Sequence, residues 1–255
     1  MEKVDIKRKK IQQVFEDYMA RYNRSSEKIR LKVEHTYRVA NLCARIAISE
    51  GLTAEDVDLA WVIGMLHDIG RFEQLRQYNT FQDALSIDHG ECGGDILFKE
   101  GRIRDYILAD KEDELIEASI RMHNKYSLPE NINKRELLFL RILRDADKID
   151  ILRVNVETPL EEIYDVTNED LKQAIISPAV LDAFTKCHTV HRDLIDTSID
   201  YLVGHIALVY DFSFPMSNTI VREQGFLKQM INFQSENRKT KKDFEMIYAK
   251  MRNYI

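Results

Sequence analysis

Eight apolar residues in a row, Leu59 to Leu66 (LAWVIGML), run straight into His67-Asp68-Ile69-Gly70. Such a run is too short to cross a bilayer, and a helix that is apolar on every side belongs inside a core. Thr53 is placed to cap this helix, with Asp56 three residues on, where a capping box would prefer Glu. Gly70 marks its far end, so the two ionisable side chains stand at or near the end of a buried helix. Polar groups in that position need partners.

The rest of the chain also reads as helical. Nine Gly and four Pro among 255 residues are few, and the stretches rich in Leu, Ile, Ala, Glu, Lys and Arg carry helical rather than alternating spacing. A helix is predicted from about Leu31 to Glu50, closed by Gly51. Arg76 to Leu85 reads as a loop, after which Ser86 caps a helix carrying His89. Two more run from about Lys111 to Tyr126, stopped by Pro129, and from Asn133, capped with Glu136, to about Leu152. Further helices follow from Glu161, with a break at SFPMSN. Without repeat or Gly/Ser linker, the expectation is one all-α domain over residues 1–255.

Charge and cysteine usage narrow the setting. A net charge of −6 speaks against stable nucleic-acid binding, and the basic run SENRKTKKDF reads as a solvated helix face. Cys43, Cys92 and Cys187 are odd in number and far apart, which suits a reducing cytoplasm. The opening MEKVDIKRKKIQQ has no apolar leader region, and no membrane association is expected. The oligomeric state is left open.

Four ionisable side chains share faces with apolar residues at helical spacing. His35 lies with Val39, Leu42 and Ile46; His67 with Ala60, Ile63 and Gly64; His123 with Ile116, Ser119 and Ile120; Asp147 with Leu140 and Leu143. Taken singly, each histidine has a plain alternative as a hydrogen-bonded core residue, and Asp147 as the ion-pair partner of Arg144 or Lys148. One shared cation would satisfy all four.

His35 within EHTYRVA, His67-Asp68 within MLHDIGRF and Asp147 within RDADKID together resemble the H…HD…D signature of the HD superfamily. The resemblance spans residues 28–152, leaving 157–255 as a C-terminal helical extension. It implies a helical bundle that binds one or two divalent metals (Mn, Fe, Co, Ni, Zn or Mg), usually for phosphoester hydrolysis. It also implies metal contacts from His35, His67, Asp68 and Asp147, with Asp68 bridging when two ions are present. Asp145 is the alternative to Asp147, and Asp145 and Asp150 are otherwise candidates to orient ligand histidines. Dinuclear members add two histidines, for which this chain offers His89 and His123. Two branches fit poorly. Asn124 follows His123 where the cyclic-dinucleotide phosphodiesterases have a second histidine, and Leu31 stands where they carry a glutamate. IGRFEQ replaces the acidic pair of the alarmone hydrolases.

The chemistry so implied is attack of a metal-activated water on a small phosphate-bearing substrate, such as a nucleotide, with Asp68 and His67 at its centre. Arg38, one turn after His35, and Arg71 are the candidate phosphate clamps, with Lys125, Lys148 and Tyr126 behind them. The alternatives are a di-iron oxygenase of the same superfamily and a noncatalytic ligand-binding or regulatory module. No GxSxG, GxxxxGK or HExxH motif competes. His188 and His191 with Cys187 read as a polar helix surface.

Overall fold

The computed structural model describes residues 7–159 and 166–255, and these contain helices and turns but no β-strand. The chain folds as two compact units, Met1–Ala146 and Asp147–Ile255. None of the helices described is long and apolar enough to cross a membrane.

The first unit comprises α1 (Arg8–Met19), α2 (Glu27–Ser49), α3 (Ala54–Leu66), α4 (Ile69–Tyr78), α5 (His89–Gly94), α6 (Ile103–Tyr106), α7 (Asp113–Met122) and the beginning of α8 (Lys134–Glu157). In α3 every residue from Leu59 to Leu66 is buried, as an all-round apolar helix requires. Each such Leu, Ile, Val or Met side chain contributes roughly 1.5–3 kcal/mol on leaving water. That surplus lets the helix carry polar groups at its end. Its widest packing is on α2, where Gly64 permits close approach: a Cβ there would lie 2.6 Å from the Ala40 Cα. Thr53 caps α3 by accepting from the Asp56 backbone N–H, as the sequence indicates. Asn133 likewise caps α8 through the Glu136 N–H.

Three local expectations are corrected. Gly70 does not end a helix; it is the second residue of α4, which starts directly after Asp68. Its role is spatial, because a Cβ at Gly70 would overlap the His89 carbonyl oxygen and lie 2.6 Å from the Gly93 nitrogen. The expected loop from Arg76 is helical to Tyr78 and contains a 3-10 turn at Asp83–Leu85. Finally, Asp88 rather than Ser86 caps the helix that begins with His89, accepting from Gly90 N and Glu91 N.

In the second unit, helices at Asn168–Gln173 and Ser198–Ile206 each begin with a Thr/Asp capping box, and helices at Pro178–Thr185 and Pro215–Gln224 begin with proline. The break expected at SFPMSN falls just before Pro215, while the helix start expected at Glu161 lies outside the described residues. Cys187, His188 and His191 sit in a turn rather than on a helix surface, Cys187 at φ 59° and His191 capping the 3-10 turn Arg192–Leu194.

Candidate metal centre

His67 and His123 occupy equivalent places. Each is the residue that closes a helix, α3 and α7 respectively, and each puts Nδ1 against a carbonyl three residues back: Gly64 O at 2.8 Å and Ile120 O at 2.7 Å. Those carbonyls are among the unpaired acceptors that every helix leaves at its C-terminal end. A carbonyl only accepts, so both rings donate through Nδ1–H and present the Nε2 lone pair. His89 is set the same way, its Nδ1–H donating to Asp83 Oδ2 at 2.7 Å. Fixing one ring nitrogen so that the other faces a cation is how proteins orient histidine ligands.

Around Asp68, at the α3–α4 junction, the imidazoles fall into two pairs. His35 Nε2 and His67 Nε2 lie 3.6 and 3.5 Å from Oδ2, while His89 Nε2 and His123 Nε2 lie 3.6 and 3.9 Å from Oδ1. The rings form a row, His35 to His67 to His123 to His89, with centroids 5.3, 5.2 and 4.9 Å apart. All four and Asp68 are at least 95% buried.

The donor set fits a divalent cation. His89 Nε2 and His123 Nε2 face each other at 3.0 Å, although the Nδ1 bonds oblige both to present lone pairs. Two nitrogens each about 2.1 Å from one ion and at right angles would lie roughly 3.0 Å apart. His67, Asp68 and His123 also offer ligand atoms that all lie within 4.8 Å of one another.

Electrostatics keep the set ready for a cation. Burial alone would raise the Asp68 pKa, but Lys32, His67 and His89 outweigh it and hold the carboxyl well below its ordinary value. Burial, then Arg71, lowers the His89 pKa, which favours the neutral imidazole that binds metal. Burial would likewise raise Asp83, yet its bonds to His89 and Arg71 keep that pKa low.

Three residues that sequence reasoning missed surround the cluster. Asp83 accepts from His89, Arg71 and Gln74, so the segment between α4 and α5 orients His89. Asn124 joins Asp83 to Asp88, donating to Asp88 Oδ1 at 2.8 Å. Lys32 places Nζ 2.6 Å from Asp68 Oδ2. Its sequence signal is its place one turn before His35, as Arg38 lies one turn after.

The remaining sequence candidates are placed as follows. Arg71 is buried, with Nε 3.7 Å from Asp68 Oδ1 and NH1 donating to Gln74, Phe81 O and Asp83. Arg38 is exposed on α2. Lys125 pairs with Asp88 at 2.6 Å, and Lys148 pairs with Asp211. Asp150 meets Arg153 through both oxygens, at 2.8 and 2.9 Å. Asp145 is fully buried on α8, and Asp147 on the same helix is the first residue of the second unit.

Comparison with known families gives one match: residues 33–152 fit the family model described as the HD domain. No curated protein and no solved structure matches the chain.

Proposed function

We propose, from the match of residues 33–152 to the HD-domain family model, that the chain is a metal-dependent phosphohydrolase acting on a small phosphate ester. The observation that carries this reading is the Asp68 carboxylate with two imidazole nitrogens converging on each oxygen. It supports two metal positions sharing Asp68, one with His35 and His67 and one with His89 and His123. Asp147, on the helix that completes the family-matched span, is proposed as a further metal ligand on the H…HD…D pattern alone.

A divalent cation bound there supplies an acidified water, with a pKa lowered to about 7, and offsets charge developing on a phosphate oxygen. The chain's own groups do the rest. Asp68 stays ionised, and the Nδ1–H bonds of His67, His89 and His123 hold three Nε2 atoms in place. The apolar walls of α3 limit bulk water at the cluster. Arg71 beside Asp68 and Arg38 on the outer side of α2 are the guanidinium groups proposed to meet substrate phosphate. The setting is cytoplasmic, and nucleic acid and membrane are not among the partners proposed.

The test is phosphate release from a panel of nucleotides and simple phosphomonoesters with the protein reconstituted in Mn, Fe, Co, Ni, Zn or Mg. The reading expects metal-dependent release that Asp68→Asn abolishes. Oxygen uptake with bound iron, and no phosphate release, would replace it with the oxygenase alternative.

A further inference from the structure

Lys32 touches Asp68, yet phosphoester hydrolysis as proposed gives it no task. Its side chain is 17% exposed and its Nζ lies 2.6 Å from Oδ2, the oxygen on which His35 and His67 converge at 3.6 and 3.5 Å. An ionised carboxylate this deeply buried needs a compensating charge. Lys32 supplies it at Oδ2 when no metal is bound, while Arg71, with Nε 3.7 Å away, faces Oδ1. A divalent cation held by His35, His67 and Asp68 Oδ2 would take the same oxygen, and two cations on one buried oxygen repel strongly. The lysine can leave, because its four-carbon stem is flexible and its side chain already reaches solvent in part.

We infer that Lys32 is a resident counter-ion that holds Asp68 in the metal-free protein and is displaced when metal enters, so that it sets the metal affinity of the His35/His67 half of the site. This rests on the proposal that Asp68 holds a metal. The exchange is one of positions only: the ammonium leaves Oδ2 as the metal arrives, and no covalent bond changes.

The experiment uses the full chain, stripped with a chelator and titrated with Mn(II) alone. Removal of the competing charge in Lys32→Met should tighten the dissociation constant on the order of tenfold. Lys32→Arg, which keeps the charge, should stay within about threefold of wild type. A second measurement needs no variant: reductive methylation of Lys32, followed by mass spectrometry, should be slow in the metal-free wild type and several-fold faster with Mn(II) bound. Lys32→Met binding Mn(II) equally or more weakly, or Lys32 methylation indifferent to Mn(II), overturns the inference while leaving the metal site standing. If Lys32→Met does not fold without metal, the methylation result decides. Wild type that binds no Mn(II) overturns this inference and the proposed function together.

Discussion

Replacing Gly70 with alanine sets two effects against each other in one residue. Gly70 is inside α4, where alanine is normally favoured over glycine by up to about 1 kcal/mol. The added Cβ would nevertheless overlap the His89 carbonyl oxygen and lie 2.6 Å from the Gly93 nitrogen. Both are backbone atoms of α5, so no side-chain rotation relieves the clash and the two helices must move apart. Overpacking costs about 1–3 kcal/mol, and rigid backbone on the far side puts this case at the upper end. The net loss is then about 2 kcal/mol, a fall in the unfolding midpoint of roughly 4–8 °C for a unit of this size. Because the nearer of the displaced atoms belongs to His89, metal bound with His123 should be lost with the stability. Gly101→Ala is the control: its φ is +73° and no neighbour lies within 4 Å, so it should cost about 1 kcal/mol through backbone strain while leaving the metal count intact. Thermal unfolding and elemental analysis of both variants make the comparison. Gly70→Ala at or above wild-type stability, or with undiminished metal, would refute the reasoning.

Two further expectations follow from the same network and from the second unit. Asp83→Asn removes the charge that orients His89, and loss of such a partner should weaken metal binding about 10–100-fold; titration should show this for one metal equivalent only, and equal weakening of both would count against it. In the second unit, His205 has its pKa pushed down to about 4 by burial and then by Arg192, with Asp147 opposing. The unfolded chain takes up a proton near pH 6.5 that the folded one refuses, so this stability is complete above about 6.5 and is lost as pH falls toward 4. Urea midpoints at about pH 7 and about pH 4.5 should converge for His205→Gln relative to wild type, and equal acid losses in both would exclude the histidine as the cause.

The features legible in the sequence were those written locally. An apolar octapeptide, Thr53 before it and His67-Asp68 after it identified α3 and its polar end, and Asn133 marked the start of α8 for the same reason. Four of the proposed ligands, His35, His67, His89 and His123, could be named and are brought together on Asp68. What escaped was decided between elements. Gly70 looks like a terminator along the chain, but its purpose is the approach of α5. Lys32 and Arg38 are each one turn from His35, and only the direction in which α2 crosses Asp68 tells them apart. Asp83 lies in a stretch without periodicity, and its importance comes from Arg71, Gln74 and His89, none adjacent to it.

The most direct test of the central claim is metal content per chain, by elemental analysis, for the reconstituted wild type, His67→Ala and His89→Ala. The account expects about two divalent ions in the wild type and fewer in each variant, since the two histidines serve opposite oxygens of Asp68. Wild-type protein that holds no metal after reconstitution with Mn or Fe would contradict it.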